Sequence, residues 1–266
     1  MASTYLGVKN LLLGMFKKIK NTILDILFPK KCFGCGKADI YLCQNCFEKI
    51  KITPHNFCPV CKRPIPDSLI CIKCQKKINL NRLIWSVPYS NILVQTLIKK
   101  LKYDYVKELA NPLSQLLINS LSLCVRFNLT HNDHHSSLNT QYLFVPVPLH
   151  KRKLRERDFN QAELLAERVA KHFSIPLENA LVRKKYTLPQ AKTKNHEIRK
   201  KSLKNAFEIS KEFTKKCIDK NKNILKDKIV ILVDDVFTTG TTMSEAAKVL
   251  RQAGAKEIWG LVIAKG

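Results

Sequence analysis

The segment that decides the fold is Ile229-Val-Ile-Leu-Val-Asp-Asp-Val-Phe-Thr-Thr-Gly-Thr-Thr242. It joins an apolar run, two adjacent acids, a loop of small hydroxyl residues, and a segment whose apolar residues recur at helical spacing. In open parallel sheets, ligands bind at the carboxyl ends of the strands, where such loops lie. We therefore expect a buried strand, a binding loop and a helix, in that order.

The residues of this loop indicate a sugar phosphate as the ligand. Asp234 and Asp235 can each accept a hydrogen bond from one of two vicinal ribose hydroxyls. The following residues offer hydroxyl and backbone N–H groups at a helix N-terminus, where the helix dipole favours a phosphate; they are Thr238, Thr239, Gly240, Thr241 and Thr242. The alternative is an acidic turn that only caps a helix.

The rest of the C-terminal two thirds alternates strand and helix patterns, which predicts an α/β fold with a mostly parallel sheet. Further strands are expected at 142–147, 207–209 and 258–264, and helices at 92–101, 159–172 and 109–123, the last interrupted near Pro112. The polar segment 128–141 is expected to be a loop. Its three histidines, at 131, 134 and 135, raise a metal site as an alternative to a plain linker.

Eight cysteines form four Cys-x-x-Cys pairs between residues 30 and 80, which is typical of two tetracysteine zinc sites. The ligands are Cys32, Cys35, Cys43, Cys46, Cys58, Cys61, Cys71 and Cys74. Sulfur fills every position, so both zinc ions are expected to be structural. Sequential and cross-braced pairing both remain open, and a disulfide framework is the alternative. Cys124 and Cys217 are interpreted as packing residues.

The chain carries 47 basic and 21 acidic residues, a formal net charge of +26 over 266 residues. This charge favours polyanions such as nucleic acid, a polyphosphorylated small molecule or an acidic membrane surface. A lysine-rich solvated surface without a specific partner is the alternative.

No apolar run reaches the roughly 18 residues of a membrane span. Residues 12–27 predict an amphipathic helix that ends at Pro29 and packs on the body of the protein, with a membrane surface as the alternative. Reduced, metal-bound cysteines predict a cytoplasmic location, with the inner face of the membrane left open.

At the acidic pair and threonine loop the chain resembles the phosphoribosyl-diphosphate motif of type I phosphoribosyltransferases. The resemblance implies that the two acids hold the ribose, that the loop holds the 5-phosphate, and that magnesium bridges ribose and diphosphate oxygens. The whole chain resembles the ComF family, on motifs beginning at Leu27 (Leu-Phe-Pro), Leu101 (Leu-Lys-Tyr), Val145 (Val-Pro-Val-Pro-Leu), Phe159 (Phe-Asn-Gln) and Pro189 (Pro-Gln). It departs from the family pattern at Asp158 and Asn205, where glycine is usual, and at Ser202, where asparagine is usual.

The resemblance also implies a basic loop that receives the diphosphate. Its candidate residues are Arg152, Arg155, Arg157, Asn160, Gln161 and Arg199, with Lys151 and Lys153 in the same run. A second basic run, 183–204, is expected to close over the ligand. The implied domains are an N-terminal helix at 1–29, a double zinc ribbon at 30–80 and a phosphoribosyltransferase-like domain at 85–266.

ComF resemblance implies a protein that binds phosphoribosyl diphosphate and handles single-stranded DNA during natural competence. The alternative is an active phosphoribosyltransferase that transfers ribose 5-phosphate to a nitrogenous base. The sequence identifies neither an acceptor pocket nor a general base, so no catalytic residue is assigned.

Overall fold

The computed structural model describes residues 29–54, 56–65, 68–124, 141–186, 203–216 and 225–266. The chain forms two compact units, Met1–Lys49 and Ile50–Gly266. In its described part, residues 29–49, the first unit contains a short helix, α1 (Gln44–Glu48), beside a group of four cysteines. The helix predicted at 12–27 and the three histidines of 128–141 lie outside the described residues.

The second unit contains helices and strands in alternation. In chain order they are α2 (Ile72–Ile78), β1 (Arg82–Pro88), α3 (Ile92–Tyr103), a 3₁₀ turn (Lys107–Leu109), α4 (Ala110–Cys124), β2 (Tyr142–Pro146), α5 (Lys151–Arg157), α6 (Gln161–Phe173), β3 (Leu181–Arg183), β4 (Phe207–Ile209), α7 (Lys211–Lys216), β5 (Ile229–Phe237), α8 (Thr241–Gln252) and β6 (Glu257–Lys265).

The central sheet has four strands in the order β1-β6-β5-β2, and all of its neighbours are parallel. Its two middle strands, β5 and β6, are apolar along most of their length because both faces of the sheet are covered. Helices α4 and α6 pack on the sheet from one side, while α8 contacts β5, β6 and β4. The expected α/β fold with a parallel sheet is confirmed.

One face of the sheet shares its core with the second group of cysteines. Cys58, Cys71 and Cys74 belong to the same buried cluster as Trp85 of β1 and Met243 of α8. Gly260 of β6 makes this packing close, because a Cβ there would lie 2.6 Å from the Met243 sulfur. This cysteine group is therefore part of the core of the second unit.

Two expectations for the local structure were wrong. Helix α4 is not interrupted near Pro112, because this proline lies in the first helical turn, where its missing N–H has no intrahelical partner to lose. The basic run 151–157 is a helix rather than a loop. The His150 ring Nδ1 caps it by accepting from Arg152 N, and Asp158 ends it in the left-handed conformation.

Candidate functional site

The acidic pair lies at the carboxyl end of β5, where β2 leaves the sheet. Val147 N donates to Val233 O at 2.9 Å, and β5 then continues past Asp234 and Asp235 with β6 alongside it. The backbone N–H of Asp235 donates to Asp234 Oδ1 at 2.9 Å, which fixes the two carboxyl groups relative to each other. The strand is thus longer than the sequence predicted, and it includes both acids.

Lys102, in the last turn of α3, forms an ion pair with Asp235 Oδ2. Their side chains are 19% and 5% exposed. Burial alone would raise the pKa of Asp235, but the Lys102 ammonium outweighs it and lowers this pKa. Burial and the neighbouring Asp235 charge together raise the pKa of Asp234 well above its usual value. The pKa values of the two adjacent acids are therefore shifted in opposite directions.

The threonine loop connects β5 to the N-terminus of α8. Gly240 has a φ of 74°, and a Cβ there would lie 2.5 Å from the Phe237 ring, so both conformation and space require glycine. The hydroxyls of Thr239 and Thr241 lie 3.0 Å apart. Thr238, Gly240 and Thr242 line a small recess at the N-terminus of α8, where the first backbone N–H groups of the helix have no intrahelical acceptor.

Helix α5 presents two different faces. Lys153 and Arg157 line a cavity beside the acidic pair, while Arg152 and Arg155 are exposed to solvent. Arg157 donates to Gln161 Oε1 at 3.0 Å. Burial lowers the pKa of Lys153 to about 8, with further lowering by nearby cations. The structure thus divides the predicted diphosphate residues between the cavity and the surface.

Asn160 is buried and its amide is used within the fold. Its Oδ1 caps α6 by accepting from Ala162 N at 3.2 Å, and its Nδ2 donates to Val147 O at 3.1 Å. It therefore anchors the start of α6 to the end of β2. Arg199 lies outside the described residues, as does most of the second basic run.

The acidic pair, part of the threonine loop and two cations of α5 line one cavity of about 450 Å³, whereas Thr239, Gly240, Thr241 and Asn160 do not line it. The predicted site residues on its wall are Asp234, Asp235, Thr238, Thr242, Arg157 and Gln161, together with Lys153. Its wall also includes Lys102, Tyr103 and Tyr89, which the sequence did not assign to a site, and Arg183, the first residue of the second basic run. Lys102 and Tyr103 belong to the Leu-Lys-Tyr motif at Leu101. The sequence therefore singled them out, but it did not show that they line the binding cavity.

The two departures from the family's glycines have a common explanation. Asp158 has a φ of 61° and Asn205 a φ of 56°. Asparagine and aspartate are the non-glycine residues that adopt this left-handed conformation most readily. Both substitutions therefore keep the backbone path that glycine would give.

The cysteines form two groups of sequential pairs, one with Cys32, Cys35, Cys43 and Cys46, the other with Cys58, Cys61, Cys71 and Cys74. Within each group the ligand atoms lie within 4.8 Å of one another. Four thiolates about 2.3 Å from a zinc ion are about 3.8 Å apart. The 3.6 Å separations of Cys35 from Cys43 and of Cys61 from Cys71 fit that geometry.

Backbone donors prepare both groups for a cation. Burial alone would raise the pKa of Cys32, but N–H groups of Cys43, Cys35 and Gly34 outweigh it and lower this pKa to about 6. Such hydrogen bonds stabilise the thiolate, which is the form that binds zinc. The cysteine tetrads are structural zinc sites with no position left for a substrate.

Comparisons with known proteins define the class of the two parts. Residues 160–265 match the phosphoribosyl transferase domain, and residues 23–75 match the double zinc ribbon domain. The chain thus combines a zinc ribbon with a type I phosphoribosyltransferase fold. Among the described residues, no helix combines the length and apolarity needed to cross a membrane.

Relatives that match most of the chain include two competence proteins and a DNA utilization protein. Competence protein F of Haemophilus influenzae is 28% identical over 83% of this chain and 96% of its own length. Competence protein ComFC of Bacillus subtilis is 28% identical over 82% of this chain and 81% of its own. DNA utilization protein YhgH of Escherichia coli K12 is 28% identical over 83% and 89%. The resemblance to the ComF family is confirmed.

Proposed function

We propose that the cavity binds a ribose 5-phosphate group, carried by phosphoribosyl diphosphate, in a protein that handles single-stranded DNA during natural competence. The observation that supports this most is the convergence of three kinds of group on one cavity. These are the acidic pair, the threonine loop at the start of α8, and the cations Lys153 and Arg157. A ribose with a phosphate at each end needs all three.

Magnesium is the metal that suits this ligand. Ribose and diphosphate oxygens are hard donors of the kind magnesium prefers, with the remaining positions supplied by water. The ion would offset the charge of the diphosphate group.

Single-stranded DNA requires a different surface. A nucleotide within a DNA strand has no 2′-hydroxyl, and its 3′-oxygen is esterified, so it offers the acidic pair no vicinal hydroxyls. Its phosphates would also be repelled by the carboxylates. The exposed face of α5 suits DNA better, because Lys151, Arg152 and Arg155 are cations open to solvent. The Tyr186 ring lies beside them, 4.9 Å from the Arg152 guanidinium, and aromatic rings of this kind stack on bases.

The test compares two ligands on one pair of variants. Calorimetric titration with phosphoribosyl diphosphate and magnesium should show one site per chain, and the double variant D234N/D235N should lose it. Fluorescence anisotropy with a labelled oligonucleotide should give the same DNA affinity for both proteins. Binding of the diphosphate unchanged by the double variant would refute the proposed site.

The second candidate function is catalysis by an active phosphoribosyltransferase. The observation that favours it is that the same cavity reaches Tyr89 and Tyr103, whose rings offer an aromatic surface for a base. Release of diphosphate from phosphoribosyl diphosphate, measured with and without nitrogenous bases, tests this. Release that depends on a base would establish an enzyme, and tight binding without release would establish a binding protein.

The setting we propose is DNA uptake, on the cytoplasmic side of the membrane, with the uptake machinery as partner. Its support is the similarity to relatives of which two are competence proteins. Loss of transformation in a strain that carries only D234N/D235N would connect the cavity to that role. Full transformation by that strain would show that ligand binding in the cavity is not needed for DNA uptake.

A further inference from the structure

Lys102 is held in the cavity by a well-anchored helix. Four apolar side chains on one face of α3 are buried in the core: Val94, Leu97, Ile98 and Leu101. The neighbouring Lys100 points elsewhere and pairs with Asp104 at 2.5 Å. The position of Lys102 against the acidic pair therefore follows from the packing of α3, because its backbone is fixed by that buried face.

The contact between Lys102 and Asp235 is sheltered from water. Asp235 Oδ2 is buried and, in the part of the chain that the structure describes, has no hydrogen-bond partner apart from this ion pair. Removing either charge would leave the other buried without a partner, which is costly. The wall of the cavity thus includes a cation that the protein itself supplies, the Lys102 ammonium.

This cation changes what the acidic pair can bind. Two ionised carboxylates beside a phosphate loop would repel a phosphorylated ligand, and a divalent metal ion is one way to remove that repulsion. Here the Lys102 ammonium already offsets the charge of Asp235. Asp234 Oδ1 already accepts from Asp235 N, which leaves Oδ2 of Asp234 and the second oxygen of Asp235 for ribose hydroxyls.

We propose that Lys102 is a fixed internal cation that lets this cavity bind a ribose monophosphate without a divalent metal ion, so that magnesium serves only the diphosphate group of a larger ligand. The inference rests on the proposed ribose-phosphate site and adds to it a second ligand class and a positioning residue. Without Lys102, the free carboxylate of Asp235 would need magnesium in its place.

The experiment is a calorimetric titration of the full-length, zinc-loaded protein with ribose 5-phosphate, in excess magnesium and again with trace magnesium removed. EDTA would strip the zinc sites, so magnesium is removed by passing the buffers over a resin. The wild type and two variants are compared. Lys102→Met removes the internal cation, and Lys100→Met removes an equal charge two residues away on the same helix. The double variant K102M/D235N covers the case in which Lys102→Met alone does not fold.

We expect the wild type and Lys100→Met to bind ribose 5-phosphate equally well with and without magnesium. Lys102→Met should bind at least tenfold more weakly without magnesium and recover most of that loss when magnesium is added. A lysine with a purely structural role would not produce this metal dependence. K102M/D235N has no unpaired carboxylate at residue 235, so it should bind ribose 5-phosphate to the same extent with and without magnesium.

Two results would overturn the inference while leaving the site in place. One is wild-type binding that requires magnesium. The other is a variant that breaks the expected pattern: Lys102→Met binding as tightly as the wild type without magnesium, or K102M/D235N binding only with magnesium. Failure of the wild type to bind ribose 5-phosphate or phosphoribosyl diphosphate under either condition would instead refute the proposed function itself.

Discussion

Asp234 and Asp235 are neighbours in sequence with opposite pKa shifts. Lys102 lowers the pKa of Asp235, while burial and the charge of Asp235 raise the pKa of Asp234. A buried carboxylate of raised pKa opposes folding when it ionises, and one of lowered pKa supports it. Asp234, whose ionisation opposes folding, is therefore also one of the two acids that the proposed ligand needs.

Asp234→Asn should stabilise the protein by about 0.5–2 kcal/mol at pH 8. Because the folded-state pKa of Asp234 is raised, its favourable contribution is complete at acidic pH and is lost as the pH rises through that pKa. The excess free energy of unfolding of the variant over the wild type should accordingly be smaller at pH 5 than at pH 8. Urea denaturation at both pH values measures it, and an advantage that is larger at pH 5 would contradict the assignment.

Asp235→Asn should destabilise the protein by about 3 kcal/mol, because it leaves Lys102 without its partner. The lowered pKa of Asp235 means that its contribution persists at neutral pH and is lost only below its usual value of 3.8. Combining Asp235→Asn with Lys102→Met should recover part of this loss. A double variant as unstable as the sum of the single variants would show that the pair is not coupled.

Asp158 and Asn205 test the explanation given for the missing glycines. Alanine at either position should destabilise the protein by about 1 kcal/mol, because its Cβ is strained at positive φ. Glycine should be close to neutral, because relief of strain is offset by the greater entropy of the unfolded chain. Thermal unfolding of the four variants measures their stability. Equal melting temperatures for the alanine and glycine variants would show that the positive φ at these positions does not favour aspartate, asparagine or glycine.

At the scale of elements, the two faces of α5 have different surroundings. Lys153 and Arg157 line the cavity, and Arg152 and Arg155 are open to solvent. Each phosphate contact to a single strand contributes about 0.7 to the slope of log affinity against log salt. Replacing Arg152 and Arg155 by alanine should thus lower that slope by about 1.4.

Binding of ribose 5-phosphate should not change in the Arg152 and Arg155 variant. The matched pair of changes, Lys153→Met with Arg157→Met, should weaken the small ligand. Oligonucleotide anisotropy at several salt concentrations and calorimetry on both variants separate the two effects. An equal loss of both ligands in both variants would mean that the faces act as one site.

What the sequence could predict depended on how local each feature is. The strand, acidic pair and loop from Ile229 to Thr242 are contiguous, so their order indicated the binding edge. Lys102 reaches Asp235 from α3, across more than a hundred residues, and no pattern in either segment shows that contact. Helix α5 was missed because its seven residues are almost all charged and carry no apolar periodicity. Pairing of β3 with β4 likewise depends on contacts between distant segments.

At the scale of the whole molecule, the two zinc sites differ in what they support. The second tetrad shares a buried core with the sheet, and Asn79 at the end of α2 donates to Ser244 Oγ of α8 at 3.3 Å. Helix α8 begins at the threonine loop. The metal of this tetrad therefore stabilises the element that presents the proposed phosphate site.

Cys74→Ser should lower the melting temperature of the second unit and weaken ribose 5-phosphate binding, because metal binding is coupled to folding. Cys46→Ser, at the corresponding position of the first tetrad, should leave ribose 5-phosphate binding unchanged. Zinc content, melting temperature and calorimetry measured together on both variants provide the check. Equal loss of ligand binding in the two variants would contradict the assignment of the second tetrad to the core.

The most direct test of the central claim is competition between the two ligands of the wild-type protein. Phosphoribosyl diphosphate with magnesium is titrated calorimetrically into the protein alone and into protein saturated with a single-stranded oligonucleotide. We predict one binding site per chain, with the same affinity in both titrations, because the cavity selects a free ribose and DNA lies on the exposed face of α5. Absence of binding, or its loss when DNA is present, would contradict a separate ribose-phosphate site.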